Sequence, residues 1–577
     1  MPAHRPEVPV TNSERPRPFR MPEPLFAELA AGGGSARALA FLDQGERARR
    51  LLLLRTVLQE IRDLPTPLSP APEAWRVFKE AAERAPEPVE GLLLAPTTGA
   101  WIAHTLRRIH GTATGPHLWA EAARLNTLAV AASLRAGTEA SLRVPLEDGA
   151  LSLPGLGLAR LPDGAAGLSA ATASTRAGEL TLTGQGRDGR RSVMTCRPAS
   201  VPVLGAPPAD DPRWLPLRTL TVGSAAVPLE DLDPYRDLDG PVPPARLDAD
   251  EAVAWQRLFD EAVAVLATAQ GPGPGRLDPA VIRAVVPWAR TGLLPPPPPD
   301  VRVSASSGDS FGAMVIARPS SPLALAEVLV HEFQHSKLAA LIHLFPLLRD
   351  DRAERYYAPW RPDPRHLTGL LHGAYAFTGV AGFWRDRLSD PEHGETAAYH
   401  FALRRTQSRL VVRTLLTSGR LTEAGQALVG GLARTLDAWL REPVPPAALS
   451  RARTAAALHR TEWRLRNVAP APEGHSVPSD GDTPPDVLRF RPDRAPWPDV
   501  RTHAFSVPPA GPRTPDEQLA AGNAAAALTG YDDGLSREPG DPHLLAGWIV
   551  ARAALARDPG ARRLLARPEL IRPAPGR

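Results

Sequence analysis

The chain has one cysteine, Cys196, among its 577 residues. A single thiol cannot form an internal disulfide, and it excludes both an iron–sulfur cluster ligated by this chain alone and a radical-SAM cysteine motif. Long apolar runs are also missing: no segment reaches about 18 uninterrupted apolar residues, and the Arg- and Pro-rich start has no apolar centre. We therefore expect a cytoplasmic protein without a membrane-spanning helix.

Lysine is nearly absent as well, because Lys79 and Lys337 are the only two. Arginine carries almost all the positive charge, the net charge is only +4, and the basic residues are scattered along the chain. This pattern argues against nucleic acid and against a membrane surface as partners. The apolar fraction of 43% and the charged fraction of 23% are typical of a globular protein with a large core.

The spacing of apolar residues predicts an α+β fold that is mostly helical. Three- and four-residue spacing indicates helices near both ends of the chain, and short alternating segments with Gly-rich turns indicate an antiparallel sheet between them. Helices are predicted at Asp248–Ala269 and Asp278–Arg290, and a strand at Phe311–Arg318. Six regions follow: a disordered tail (1–20), an N-terminal helical region (21–137), a β-rich region with connecting helices (138–300), a histidine-rich region (301–467), a flexible linker (468–510) and a C-terminal helical hairpin (511–577).

The histidine-rich region contains an HExxH motif, formed by His331, Glu332 and His335. On a helix, residues i and i+4 are about 40° apart around the axis and one turn apart along it, so both imidazoles can reach one cation. Glu332 then lies beside the metal, where it can hold a water or a proton. Ser321-Pro322 supplies an N-cap and a first-turn proline. We expect a metal-binding helix beside a small antiparallel sheet, within a catalytic region.

A metal site of this kind needs a third protein ligand. His343 follows His335 by eight residues, about 12 Å along the same helix, which is too far to share its metal. Glu354 follows His335 by nineteen residues, a separation seen in zinc peptidases that have a glutamate ligand on the next helix. His372 lies in an apolar helical stretch, where an imidazole needs a partner. Glu354 and His372 are therefore both candidates.

Other polar residues cluster around the motif, since seven of the fifteen histidines and four of the six tyrosines lie between 331 and 400. Tyr375, close to His372, is a candidate catalytic group together with the motif glutamate. Arg361 and Arg365 lie on a proline-containing loop, where a guanidinium can bind a carboxylate bidentately or can pair with Asp363. Lys337 follows His335 by two residues and therefore points away from the metal, and we expect it to form a structural ion pair.

Three stretches carry a resemblance to a known family: His331–Leu338, Tyr357–Arg365 and Gly369–Phe377. Over about residues 310–385 the chain resembles a bacterial family of HExxH-motif peptide-modification proteins, the α-ketoglutarate-dependent HExxH-type peptide β-hydroxylases. The resemblance implies oxygenase chemistry on a ribosomally made precursor peptide, carried out by the chain alone or beside a radical-SAM maturase encoded nearby. It further implies Fe(II) held by three imidazoles (His331, His335 and His372).

The cosubstrate implied by this resemblance is α-ketoglutarate (2-oxoglutarate), with its distal carboxylate on Arg361 or Arg365. Glu332 would orient water or a ligand near the metal. Taken alone, the pattern of residues favours a zinc metallopeptidase, with Glu332 as general base and Glu354 as third ligand, because the HExxH motif is commonest in that class. A third reading, a non-enzymatic interaction protein, depends on the C-terminal hairpin alone. The long match beyond the motif favours the hydroxylase.

Overall fold

The structure, a computed structural model, describes residues 20–115, 117–198, 213–223, 225–292, 303–349, 351–469, 489–492, 505–556 and 559–570. These residues form a mixed α+β fold in which helices predominate, which confirms the predicted fold class. All of the predicted tail except residue 20, and most of the predicted linker, lie outside the described residues. In the part of the chain that is described, no helix combines the length and the apolarity needed to cross a bilayer.

Helices make up the N-terminal region and almost all of the second half of the chain. Their order follows the prediction closely, because apolar residues at helical spacing continue through each of them. The α-helices among the described residues are α1 (Glu23–Ala30), α2 (Ala36–Ile61), α3 (Ala71–Arg84), α4 (Pro86–Leu94), α5 (Pro96–Ile109), α6 (Leu118–Ala122), α7 (Arg124–Ala136), α8 (Ala249–Ala267), α9 (Pro322–Leu344), α10 (Leu367–Arg385), α11 (Gly394–Thr417), α12 (Glu423–Leu440), α13 (Pro446–Asn467), α14 (Pro515–Ala520), α15 (Ala524–Arg537), α16 (Pro542–Leu555) and α17 (Pro559–Ala566).

The strands form two sheets. The first contains β1–β7 in the order β6-β5-β4-β1-β2-β3-β7, and all its pairs are antiparallel, as predicted for the β-rich region. Alternate residues of β1 (Leu142, Val144 and Leu146) are buried in a core shared with α3 and α7. The strands of this sheet are β1 (Ala140–Glu147), β2 (Ala150–Leu153), β3 (Gly157–Arg160), β4 (Leu168–Arg176), β5 (Glu179–Gln185), β6 (Arg191–Cys196) and β7 (Trp214–Pro216).

The second sheet lies beside α9 and has the order β11-β12-β10-β9-β8. Its outer pairs are antiparallel, but β10 is parallel to both β9 and β12. The prediction of an antiparallel sheet beside the motif helix is therefore right for the outer pairs and wrong for the two central ones. The strands are β8 (Arg218–Val222), β9 (Ala225–Leu229), β10 (Ala284–Pro287), β11 (Ser304–Ala305) and β12 (Ala313–Ile316).

The predicted helix at Asp278–Arg290 is wrong, because this segment contains the central strand β10. All four residues of β10 are buried, and they form a continuous apolar run of Ala, Val, Val and Pro. A short run of this kind has neither a period of two nor a period of 3.6, so its pattern cannot separate a buried strand from a buried helix. The other predicted helix, Asp248–Ala269, is confirmed as α8.

In the helical half, α10 packs between α9 and α11. Glycine permits this close approach: a Cβ at Gly373 would overlap the Trp360 indole, and one at Gly379 would overlap the Gln334 side chain. The C-terminal helices pack on α13, where Arg464 bonds to Glu569 at 2.5 Å. The packing of α9, α10 and α11 brings together residues that lie up to about seventy positions apart in the sequence.

Candidate metal centre

The motif helix α9 begins and ends where the sequence predicts. The Ser321 hydroxyl accepts a hydrogen bond from Ala324 N at 3.2 Å, and Pro322 occupies the first turn. The helix ends at Leu344, just before a proline. Nearly every residue along its middle is buried, so the helix position is fixed by packing on all sides.

The two motif histidines face each other at the spacing of one helical turn. Nε2 of His331 lies 3.1 Å from Nε2 of His335, and their ring centroids are 4.8 Å apart. With Glu332 added, the candidate ligand atoms of the three residues all lie within 4.8 Å of one another. Two imidazole nitrogens aimed at one point can bind a single divalent cation.

A third imidazole comes from the first half of α10. The ring of His372 lies 5.6 Å, centroid to centroid, from the ring of His335. The helix that carries it begins at His366, whose Nδ1 accepts from Gly369 N at 3.1 Å. Glu354, by contrast, is exposed in an irregular segment, unlike the helical glutamate ligand of the zinc peptidases that share its spacing. His343 bonds to Glu46 through Nδ1 at 2.7 Å, away from the motif histidines as predicted.

Burial keeps all three imidazoles in the neutral form. It lowers the pKa of His335 to about 4 and the pKa of His372 to about 3. Burial also holds the pKa of His331 well below its usual value, and the charges of His335 and Arg404 act in the same direction. The neutral imidazole is the form that binds metal, so the cluster is ready for a cation at neutral pH.

These lowered pKa values predict an unusual pH dependence of metal binding. Ordinary imidazoles lose metal to protons as the pH falls through about 6.5, whereas here competition should begin only below about pH 5. The dissociation constant for Co(II), measured by chelator competition between pH 8 and 4, is expected to stay nearly constant down to about pH 5.5. The measurement is made in Glu332→Gln, because the carboxyl of Glu332 has a pKa of about 7 and its own titration would otherwise affect metal binding in this range. A tenfold loss of affinity per pH unit beginning near 6.5 would contradict the prediction.

Glu332 is held by the edge strand of the neighbouring sheet. The Ser304 hydroxyl, on β11, donates to Glu332 Oε1 at 2.6 Å, and only 1% of the glutamate surface is exposed. Burial raises the pKa of this carboxyl to about 7, although the hydroxyls of Ser304 and Ser306 oppose the shift. The group can therefore hold or release a proton at neutral pH, next to the two motif imidazoles.

The loop arginines share one carboxylate. Arg361 Nε donates to Asp363 Oδ1 at 2.9 Å, and Arg365 Nη1 donates to Asp363 Oδ2 at 3.2 Å. The pairing with Asp363 is one of the two roles that the sequence allows for them. The positive charge of Arg365 contributes to the lowered pKa of His372, after the larger effect of burial.

Tyr375 and Lys337 point away from the three imidazoles. The hydroxyl of Tyr375, the predicted catalytic group, donates to Leu29 O at 2.9 Å, at the end of α1. Lys337 Nζ donates to the carbonyls of Gly33 at 2.7 Å and Gly32 at 3.3 Å, rather than to a carboxylate as predicted. Burial lowers the pKa of this lysine to about 7. Lys337 therefore connects α9 to the turn between α1 and α2, and Tyr375 connects α10 to the end of α1.

Four residues beside the imidazoles were not identified from the sequence as site residues. The Phe377 ring lies 4.9 Å from the His331 ring, and the Trp360 ring lies 4.7 Å from the Phe377 ring. Arg404, on α11, covers the same phenylalanine with its guanidinium carbon 4.5 Å from the ring centroid. Its neighbour Gln407 connects α11 to the loop before α10. The two aromatic residues lie within the stretches that carry the resemblance, but no motif marks the two on α11.

No protein-family model matches the chain, and no curated protein matches it either. The resemblance to peptide β-hydroxylases therefore depends on the three stretches of sequence themselves. What the structure adds is the arrangement of these stretches around one point: the motif on α9, the loop with its tryptophan, and the histidine on α10.

Proposed function

We propose that the chain is an Fe(II)- and α-ketoglutarate-dependent oxygenase that hydroxylates the β-carbon of residues in a ribosomally made peptide. The observation that carries the proposal is the third imidazole, since His372 lies beside His335 while Glu354 is exposed and outside any helix. Imidazole binds Fe(II) as well as zinc, and three imidazole ligands, a departure from the usual triad of two histidines and one carboxylate, would leave three octahedral positions. The precursor peptide and a radical-SAM maturase encoded nearby belong to the proposal through the resemblance.

The residues fit such a metal. His331, His335 and His372 would hold it, and their half-buried, neutral rings supply nitrogen donors without a proton to displace. When bound, Fe(II) with α-ketoglutarate and O2 supplies the oxidation that converts a C–H bond to C–OH, with succinate and CO2 as coproducts.

The remaining side chains of the centre position groups and exclude water. Ser304 fixes the Glu332 carboxyl beside the motif imidazoles, where it can orient a ligand or hold a proton. Trp360 and Phe377 form an apolar wall against His331, which keeps bulk water from that side of the cluster. These are the roles that an oxygenase requires of its protein.

One observation favours a second candidate, a zinc metallopeptidase. The Glu332 carboxyl lies with the two motif imidazoles inside 4.8 Å, and burial raises its pKa to about 7. A carboxylate of this pKa can take a proton from a metal-bound water at neutral pH. The same residue therefore distinguishes the two functions, because it is the base of a peptidase and only a supporting group in an oxygenase.

The assay that decides between them follows both products. The protein is prepared without oxygen, loaded with Fe(II), and given α-ketoglutarate, O2 and the small peptide encoded beside it. The proposal predicts release of succinate and a mass gain of one oxygen atom in the peptide, with both retained at a reduced rate in Glu332→Gln. Zinc-dependent cleavage of peptide bonds that falls by roughly 100-fold or more in Glu332→Gln, without succinate release, would establish the peptidase instead.

Replacement of the two candidate third ligands is expected to give opposite results. His372→Ala should lower the affinity for Co(II) by roughly 10- to 100-fold, because a metal held by three imidazoles loses one of them. Glu354→Ala should leave the affinity unchanged, since this side chain is exposed. Both affinities can be measured by chelator competition. Retention of metal by His372→Ala together with its loss in Glu354→Ala would exclude the three-imidazole ligand set.

A further inference from the structure

The sheet beside the motif helix has an edge strand next to the candidate metal centre. This strand, β11, lies at one end of the order β11-β12-β10-β9-β8, and its ladder partner among the described residues is β12. Both residues of β11 are half-buried, whereas all four residues of β12 are buried. At the opposite edge, the N–H of Thr221 on β8 donates to Gln256 Oε1 at 3.1 Å. A side chain of α8 therefore covers part of that edge.

The register of β11 determines which of its backbone groups face outward. Val303 O accepts from Ala317 N at 3.0 Å, so these two residues are a hydrogen-bonded pair of the ladder. Such pairs alternate with non-hydrogen-bonded pairs in antiparallel strands, and Ser304 opposite Ile316 is the next pair. The N–H and C=O of Ser304 therefore point away from β12, and no other part of the described chain bonds to them.

The side chain of the same residue connects this edge to the candidate metal centre. The Ser304 hydroxyl donates to Glu332 Oε1 at 2.6 Å, and the Glu332 carboxyl lies with the two motif imidazoles inside 4.8 Å. The side chain of Ser304 thus points toward α9. A strand added beside β11 would lie about 5 Å from it, and its residue opposite Ser304 would direct its Cβ to the same face. That Cβ would therefore point toward the motif imidazoles.

The composition of this edge suits an added strand. Residues 303–308 are Val, Ser, Ala, Ser, Ser and Gly, so they include no charge, no proline and no aromatic ring. Proteins commonly protect an edge with charged side chains, proline or a bulge. Because β11 has only two residues, pairing here would fix the position of a bound chain more than it would raise its affinity.

We propose that the peptide substrate binds as an extended segment antiparallel to β11, with the residue to be hydroxylated opposite Ser304. This residue would exchange two hydrogen bonds with the Ser304 backbone and present its Cβ to the imidazoles. Its two neighbours in the peptide would direct their side chains to the other face. The inference rests on the proposed function, and it adds the mode of substrate binding and the position of the reacting carbon.

Methylation of single peptide nitrogens tests this pairing. The small peptide encoded beside the protein is labelled with a fluorophore, and its affinity for Mn(II)-loaded protein is measured by anisotropy without oxygen. Fragment masses of the product identify the hydroxylated residue. An N-methyl group on that residue should weaken binding by roughly 3- to 10-fold, the usual effect of one hydrogen bond. N-methylation of either neighbour should change the affinity by less than about twofold, because those amides point away from β11.

Two variants of the edge residue provide a matched comparison. Ser304→Pro removes the outward N–H, which the ladder with β12 does not use, and proline is tolerated on an edge strand in this orientation. This variant should also bind the peptide roughly 3- to 10-fold more weakly. Ser304→Ala lacks the same hydroxyl but keeps the N–H, so it should bind within about twofold of the wild type. Melting temperature and metal content establish that each variant is folded and loaded.

The outcomes separate this inference from the proposed function. Equal affinities of Ser304→Pro and Ser304→Ala, or equal effects of N-methylation at the hydroxylated residue and its neighbours, overturn the pairing on β11. Dimerisation of the protein that is lost only in Ser304→Pro would make a second copy the occupant of the edge and likewise overturn it. Peptide binding that is weakened only in Ser304→Pro, without succinate release, supports the edge and overturns the oxygenase proposal. A wild-type protein that does not bind the peptide overturns both.

Discussion

Replacing His335 by alanine should abolish metal binding and with it all turnover. His335 is the central ring of the cluster, with its centroid 4.8 Å from that of His331 and 5.6 Å from that of His372. Without His335, only the imidazoles of His331 and His372 remain to bind the metal, so the affinity for Co(II) should fall by more than about 100-fold. Chelator competition and the metal content after dialysis both measure the effect.

A histidine on the same helix provides the matched control. His343 lies two turns beyond His335 and bonds to the buried Glu46 rather than to the cluster. In His343→Asn an amide nitrogen replaces Nδ1, so the bond to the glutamate can be kept while the imidazole is lost. This variant should keep its metal. Equal metal loss in both variants would mean that the effect comes from general damage to α9, and the assignment of the cluster would then be wrong.

Replacing Gly373 by alanine should disturb both stability and activity. A Cβ at this position would overlap the Trp360 indole, which must then move. The indole packs on Phe377, and Phe377 packs on His331, so the displacement reaches this candidate metal ligand through two ring contacts. We expect a loss of about 1–3 kcal/mol in the free energy of unfolding, together with weaker metal binding. Urea denaturation and chelator competition measure the two effects.

The control is a helical glycine with open space beside it. A Cβ at Gly430, on α12, would lie 3.7 Å from Arg434 Nη1, an ordinary van der Waals contact with the end of a flexible side chain. Gly430→Ala should therefore stabilise the protein by about 0.5–1 kcal/mol, because alanine loses less backbone entropy on folding. If Gly373→Ala were as stable as Gly430→Ala, the indole would be free to shift and the wall would not be rigid.

Local chemistry accounts for what the sequence predicts correctly. The N-cap of Ser321 and the proline after it define the start of α9, and the four-residue spacing then places His331 and His335 on one side of it. Both signals act within one or two helical turns, so they do not depend on the rest of the fold. The sequence also singles out His372, because an imidazole in an apolar stretch needs a partner, and its ring lies 5.6 Å from that of His335.

The features that the sequence does not predict depend on contacts between distant elements. Arg404 has no motif around it, and its position beside Phe377 results only from the packing of α11 on α10. The sequence predicts a carboxylate partner for Lys337, but the lysine bonds to the backbone carbonyls of Gly32 and Gly33. A backbone carbonyl is present in every residue, so no residue type in the sequence marks it as a partner. The sequence pattern predicts a helix where β10 lies, because the conformation of this segment is determined by its neighbours in the sheet and not by its own periodicity.

The bonds from Lys337 to the turn at Gly32 and Gly33 have a consequence for biosynthesis. The turn is translated about three hundred residues before the lysine, and Gln407, which fixes the tryptophan loop, follows about seventy residues later still. A nascent chain therefore exposes its motif histidines to cellular metals before the centre around them can close. A cation held by the finished centre would then be selected only after α11 has been translated, because the side chains around the imidazoles are incomplete until that point.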